Sequence, residues 1–170
     1  MKILSSIRGK LLVFSFLLFF IPSVIIGTAS YFQAKSGMDH LGETIIKNSV
    51  ETSLQLITTT NERVKAGEIS LEQAQEEVLT VLIGPKDSEG KRPLSNPSDL
   101  GEHGYIYILG HDGTLLGHPT REGDNLWENQ DESGKYYIQE VKANAEAGGG
   151  FTYYDFPLPG TDIEAPKLIY

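Results

Sequence analysis

A few donor-bearing side chains in this sequence have the chemistry to bind a small anion. His118 comes directly before Pro119 at the end of a predicted strand, and a donating or protonated imidazole can hydrogen-bond a carboxylate. Lys167 opens a later strand and can supply positive charge, while Tyr107 and Tyr154 offer phenolic donors. Together these residues predict a site for a small carboxylate. Each also fits a structural role: a turn histidine satisfied by backbone, an exposed edge-strand lysine, or core aromatics.

The sequence lacks the patterns of most catalytic and metal sites. It has no cysteine, which excludes disulfides, cysteine metal sites and cysteine nucleophiles. His40 and His103 have no partner at a metal-ligand spacing. The glycines at 148–150 follow a predicted helix, whereas a phosphate-binding loop would open one. We therefore expect no enzymatic activity, no metal and no cofactor.

Charge divides the chain into two parts. The 170 residues hold 14 Lys and Arg against 23 Asp and Glu, a net charge of -9, which argues against a nucleic-acid partner. Residues 1–35 hold four of the basic residues and no acid, so residues 36–170 carry 10 minus 23, or -13. The two parts are therefore expected to lie in different surroundings.

The N-terminal part has the length and composition of a membrane helix. No charged residue occurs from Leu11 to Ala34, and about 20 apolar residues span a bilayer core. We predict a transmembrane helix at 11–32, with residues 1–10 in the cytoplasm because Lys2, Arg8 and Lys10 precede it. Residues 36–170 then form one extracytoplasmic domain. The alternative is a signal peptide cleaved at the small residues 27–29.

Three helices are predicted outside the apolar run. Apolar residues recur at helical spacings over 36–66 and predict a long helix. A capping box, Ser70 with Gln73, starts a second helix with a stripe formed by Leu71, Ala74, Val78 and Leu82. A third helix is expected from Tyr136 to Ala147.

Alternating aromatic and β-branched residues predict strands. Residues 105–109 and 114–118 form a hairpin around Asp112-Gly113. A third strand covers 151–156 and stops at Pro157, and a fourth opens at Lys167. Because that strand has barely begun at residue 170, we expect this sequence to be the N-terminal fragment of a longer protein whose last strands are missing.

The order of these elements and their motifs resembles a known sensor family. The chain closely resembles the single Cache domain of bacterial methyl-accepting chemotaxis proteins over about residues 36–170. The resemblance is carried by 104–108 (GYIYI), 112–116 (DGTLL), His118-Pro119, Gly123-x-Asn125-x-Trp127, 134–137 (GKYY), Gly149-Gly150-Phe151-x-x-Tyr154-x-x-Pro157 and Lys167-x-x-Tyr170.

The resemblance implies an α+β fold: a membrane helix, then a PAS-like antiparallel sheet with a long N-terminal helix packed behind it. It also implies a ligand pocket on the sheet and a homodimer through the long helix. The family places Trp127 over the sheet, and Tyr137 opens a helix near the same region. We therefore expect the ligand-binding residues to be Tyr107, His118, Trp127, Tyr137, Tyr154 and Lys167, with Arg121 a weaker candidate.

Function follows from the resemblance as an expectation. We expect a plasma-membrane chemoreceptor that senses a small extracellular metabolite, such as an organic acid. It would signal to cytoplasmic chemotaxis proteins through a part absent from this sequence. The same sensor on a histidine kinase or cyclic-dinucleotide enzyme is an alternative. A membrane-tethered hydrolase or a secreted binding protein would need features that the sequence does not display.

Overall fold

The computed structural model describes residues 6–92, 100–101, 103–158, 161 and 163–170. The first five residues of the predicted cytoplasmic segment, and part of the predicted loop after the second helix, lie outside the described residues. The elements, in chain order, are α1 (Ile7–Lys65), α2 (Leu71–Leu82), β1 (Ile108–Leu109), β2 (Leu115–Gly117), α3 (Tyr137–Glu146), β3 (Thr152–Pro157) and β4 (Glu164–Ile169).

The chain divides into two units, and the first is helical. Unit 1 runs to Gly42 and unit 2 begins at Glu43. Helix α1 contains an 18-residue stretch of mean hydropathy 2.4 with none of it buried, so it is long and apolar enough to cross a membrane. In the apolar part of the helix, Ser23 donates to the carbonyl of Phe19 and Thr28 to that of Val24, both at 2.7 Å. Hydrocarbon surroundings require such internal pairing of polar groups.

In unit 2, α2 begins where the capping box predicts. The Gln73 amide donates to the Ser70 hydroxyl, and the Ser70 amide donates to the Gln73 side chain. Val78 and Leu82 are buried with Ile83 in one cluster, which also receives Leu56 and Ile57 from α1 and Ile106 and Ile108. The predicted stripe is too long by one residue, because Leu71 in the first turn is 53% exposed.

The first hairpin is shorter than predicted. Gly113 has a φ of +86° at the expected turn, but β1 is only Ile108–Leu109. The register shifts between these two residues, and β2 ends before the His118-Pro119 pair, so residues 105–107 have no strand partner. Side chains there still alternate: Tyr107 packs on the cluster around Leu115, while Ile106 faces the α2 cluster.

The second hairpin is longer than predicted. β3 and β4 pair antiparallel over six residues each, with Tyr154 opposite Lys167 and Pro157 opposite Glu164. Pro157 is therefore the last residue of β3 and does not stop it earlier, and β4 begins three residues before Lys167. A proline is tolerated at a strand end because it removes only one ladder donor.

The fold class is confirmed as α+β, with a long helix and antiparallel strands. In the described residues, the strands form two two-stranded sheets, β1-β2 and β3-β4. A core cluster joins them through Leu115 of β2, Leu126, Tyr137 and Ile138 of α3, and Tyr154 of β3.

Two valines on α2 provide a matched test of this packing. Val78 is 7% exposed and Val81 is 50% exposed. Val78→Ala should lower the free energy of unfolding by about 1–3 kcal/mol through lost burial and a residual cavity, and Val81→Ala by less than about 0.5 kcal/mol. Urea unfolding of the detergent-solubilised chain measures both. Equal losses would contradict the burial of this face of α2.

Candidate ligand-binding cavity

A small aromatic cavity lies inside the core that joins the two hairpins. It has a volume of about 20 Å³, which is room for roughly one water molecule. Five aromatic side chains and a histidine supply most of its wall. The lining residues are Tyr105, Tyr107, Leu115, His118, Arg121, Leu126, Tyr137, Ile138, Tyr154 and Phe156.

Strand alternation and one helix bring the aromatic walls together. Along β3, Thr152 and Tyr154 point inward, whereas Tyr153 is 57% exposed on the other face. Helix α3 presents Tyr137 to the same space, and the rings of Tyr137 and Tyr154 stack with centroids 4.3 Å apart and 15° between planes. Phe156 meets Tyr137 edge-on at 5.9 Å. The wall is therefore rigid and largely apolar.

Two phenol hydroxyls in this wall have no hydrogen-bond partner in the described part of the chain. The hydroxyl oxygens of Tyr107 and Tyr137 are both buried without one. The side chain of Asn129 lowers the pKa of Tyr137, but it does not meet the geometry of a hydrogen bond to the Tyr137 hydroxyl. Burial raises the pKa of both phenols, so each stays protonated and able to donate. An unpaired buried donor costs about 1–3 kcal/mol, which a bound acceptor would relieve.

His118 is held as a neutral donor. Its Nδ1 accepts the amide hydrogens of Thr120 at 3.1 Å and Arg121 at 3.0 Å. A ring nitrogen that accepts cannot carry a proton, so the neutral imidazole must be protonated at Nε2. Burial lowers the pKa of His118 to about 4, helped by the positive charges of Arg121 and Lys167. His118 is thus both the backbone-satisfied turn histidine and a donor in the cavity wall.

Two cations flank one aromatic ring of the wall. The guanidinium carbon of Arg121 lies 5.7 Å from the centre of Phe156, and Lys167 Nζ lies 5.0 Å from the same centre. Lys167 Nζ is also 3.5 Å from the Tyr105 hydroxyl, and burial lowers the pKa of this lysine. Arg121 pairs with the half-exposed Asp124 at 2.8 Å. Positive charge therefore lies beside the cavity, although Asp124 partly neutralises that of Arg121.

The structure brings together four of the six predicted site residues: Tyr107, His118, Tyr137 and Tyr154 line the cavity. Lys167 is not a lining residue, but it pairs with Tyr154 on the same face of the β3-β4 hairpin and contacts the Phe156 ring and the Tyr105 hydroxyl. The role of each in binding stays a prediction. Tyr105, Phe156 and Ile138 also line the cavity but were not predicted as binding residues, although strand alternation from Tyr107 and Tyr154 points to the first two.

Trp127, another predicted site residue, packs on the core cluster that surrounds the cavity. It does not line the cavity; its backbone and Cβ lie against Gly113, where an added methyl group would come within 2.9 Å of Trp127 Cβ. Lys142 Nζ lies 5.2 Å from the indole centre, and the Trp127 carbonyl accepts from Gln139. The ring therefore joins the first turn to α3. Within the described ranges, no three His, Asp or Glu side chains converge on a metal-sized site.

Comparison with known proteins identifies the family. The model of the family described as single Cache domain 2 matches residues 38–170. The chain belongs to this family.

Solved structures share the Cache fold. A periplasmic sensor domain of a chemotaxis protein is 25% identical with a TM-score of 0.57, covering 72% of this chain and 79% of that one. A Cache chemosensory domain studied for carboxylic acid recognition is 22% identical with a TM-score of 0.57, covering 82% and 84%. A methyl-accepting chemotaxis protein from Vibrio parahaemolyticus is 21% identical with a TM-score of 0.55, covering 81% and 82%.

One curated relative is a histidine kinase and not a chemotaxis protein. The sensor histidine kinase MctS of Rhizobium johnstonii is 29% identical over 132 residues, which cover 74% of this chain. The chain spans only 29% of the length of that relative. The Cache sensor therefore occurs both in chemotaxis proteins and in a sensor kinase.

The low pKa of His118 predicts a pH-dependent stability. An unfolded histidine has a pKa of 6.5 and the folded one about 4, so between these values the unfolded state binds more protons. The contribution of His118 is complete above about pH 6.5 and is lost as the pH falls toward 4, in total about 3 kcal/mol. Urea unfolding at pH 7, 6 and 5 should show falling stability, with a shallower fall in His118→Gln. Parallel curves for the two proteins would contradict a buried neutral imidazole.

Proposed function

We propose that this Cache domain is a sensor that binds a small carboxylate, such as a short organic acid or a small amino acid, in the aromatic cavity. One observation carries the proposal: the unpaired hydroxyls of Tyr107 and Tyr137 and the Nε2–H of His118 belong to the wall of a single cavity. Two unpaired phenol hydroxyls and one imidazole N–H suit an anion. Carboxylate oxygens accept several such bonds, and dry surroundings strengthen them.

Charge supports an anionic ligand. Arg121 and Lys167 flank Phe156, so the positive field near the cavity is local in a domain whose net charge is -13. The solved Cache domain that recognises carboxylic acids has the same fold, which agrees with this ligand class without fixing it. We propose no catalytic role for this part of the chain, since the wall offers tyrosines and a neutral histidine without an activated nucleophile.

Binding would move the walls, because the cavity holds only about one water molecule. Tyr154 of β3 faces the cavity, and its neighbour Tyr153 donates to Glu43 of α1 at 2.7 Å on the opposite face. Lys47 of α1 lies 5.8 Å from the ring centre of Tyr170, which follows β4. Expansion of the cavity would therefore displace the β3-β4 hairpin against α1. A ligand that favours the expanded state shifts the population of helix positions, which is the requirement for signalling.

We infer that α1 anchors the domain in the plasma membrane with the N-terminus in the cytoplasm and the sensor outside, and that a dimer forms through α1. The output is proposed to be chemotaxis. A histidine kinase is the second candidate, which the kinase relative favours. In the dimer, exposed apolar residues of α1 such as Ile45 and Leu54 would be covered.

Two neighbouring tyrosines test the ligand site. Tyr137 is 1% exposed in the wall, and Tyr136 is 41% exposed beside it. A thermal-shift screen of the full chain with organic acids, amino acids, amines and sugars should identify a carboxylate. Tyr137→Phe should weaken its binding roughly tenfold to 150-fold, because a hydrogen bond to a charged group is worth about 1.5–3 kcal/mol, and Tyr136→Phe should change it by less than twofold.

Two results would overturn the ligand proposal. A screen that returns only neutral or cationic ligands would exclude a carboxylate site. Equal effects of Tyr137→Phe and Tyr136→Phe would place the ligand elsewhere. Lys167→Met, measured alongside, tests whether the lysine beside the cavity contributes charge.

Single cysteines in this cysteine-free chain test the topology and the dimer together. A cysteine at position 3 should resist a membrane-impermeant maleimide in intact cells and react after lysis, whereas cysteines at 38–60 should react directly. Oxidation should crosslink the latter set with helical periodicity. A missing position-3 cysteine in the mature protein would mean signal-peptide cleavage, and crosslinking without periodicity would exclude a helical seam.

A further inference from the structure

A buried arginine outside the cavity holds the turn that carries His118. The side chain of Arg92 is 0% exposed and is surrounded by oxygen acceptors. Its Nη1 and Nη2 donate to the two carboxylate oxygens of Glu76 at 3.2 and 2.8 Å. Nη1 also donates to the carbonyl of Gly84 at 2.7 Å, and Nε to Glu122 at 3.0 Å. One guanidinium thus joins α2 to the segment after β2.

The second half of this network encloses the site turn, residues 118–122. The Arg92 amide donates to the carbonyl of Pro119 at 3.3 Å, and its side chain holds Glu122. Between these two anchors lie the amides of Thr120 and Arg121, which donate to Nδ1 of His118. Arg92 therefore fixes both ends of a short turn whose middle determines the protonation of the imidazole.

The chemistry of the network points to positioning more than to stability. Burial alone would lower the pKa of Arg92, and the carboxylates of Glu76 and Glu122 overcome this and raise it. Buried ion pairs often contribute little net stability compared with apolar packing, since the charges lose their hydration. Buried ion pairs do fix geometry, because a planar guanidinium donates hydrogen bonds only in set directions.

We propose that Arg92 is a positioning residue for the ligand site: through Glu122 and Pro119 it holds the 118–122 turn so that Nδ1 of His118 accepts and Nε2–H is left to donate into the cavity. By holding both ends of this turn, Arg92 also orients Arg121 at the cavity wall. The effect on ligand affinity rests on the proposed function, whereas the effect on the His118 tautomer does not.

The two carboxylates allow a matched experiment on one arginine. Arg92→Met removes every side-chain bond of the guanidinium at once and risks misfolding, so the test compares Glu122→Ala, on the side of the turn, with Glu76→Ala, on the side of α2. The full-length chain, labelled with ¹⁵N-histidine, reports the tautomer of each imidazole by NMR, and a His118→Gln spectrum assigns the signal. Lys86→Ala controls for the bond that Glu122 makes to Lys86 at 2.7 Å.

In Glu122→Ala, the ratio of the Nδ1–H to the Nε2–H tautomer of His118 should rise about fivefold to tenfold, because weakened amide bonds no longer enforce acceptance at Nδ1. Glu76→Ala and Lys86→Ala should leave that ratio within about twofold of the native value. An unchanged tautomer in Glu122→Ala, or equal changes in Glu122→Ala and Glu76→Ala, would overturn the proposal even if both variants lose stability.

A titration with acetate forms the second arm. Glu122→Ala should weaken acetate binding about tenfold and Glu76→Ala less than twofold, because only the first change lets the proton move from Nε2 to Nδ1 and so removes a donor from the cavity. If the native chain does not bind acetate, this arm counts against the proposed carboxylate ligand, and the tautomer arm still decides the role of Arg92. Equal weakening by the two variants would contradict the positioning role.

Discussion

The alternation of side chains along extended backbone is the constraint on which the whole sensor unit depends. At 105–108 it sends two tyrosines into the cavity and two isoleucines onto α2. Along β3 it sends Tyr154 into the cavity and Tyr153 to Glu43 of α1. Each extended segment therefore has one face on the candidate site and another on a helix. Because both faces share one backbone, a shift of the side chains on the inner face also moves those on the outer face.

Local patterns were sufficient for the elements and for part of the site. The period of two grouped Tyr107 with Tyr105 and Tyr154 with Phe156 on common strand faces, and the capping box placed the start of α2 at Ser70. These features depend on residues only a few positions apart, and such features are the ones that sequence periodicity reports. The family resemblance, and not periodicity, indicated that Tyr154 and His118 face a pocket.

Longer-range contacts account for what the sequence did not reveal. β1 is short because its register shifts against β2, and Trp127 lies against Gly113 because of packing between distant segments. Arg92 gave no sequence signal, since its carboxylate partners are 16 and 30 residues away. The place of Lys167 beside the cavity depends on its pairing with Tyr154, and the start of β4 depends on the pairing of Glu164 with Pro157. Pairwise geometry of this kind is absent from composition and spacing.

The two cations beside Phe156 separate how a ligand arrives from how it is held. At physiological salt the Debye length is about 8 Å, so a ligand far from the domain meets only the screened field of a net -13 surface, which repels anions. Within a few ångströms of the ring, Arg121 and Lys167 dominate. Added salt should therefore speed the encounter of an acid with this domain while slightly loosening its grip, the reverse of ordinary electrostatic steering, in which salt slows association. In saline surroundings the sensor would then bind its ligand faster, and its affinity for the ligand would also change.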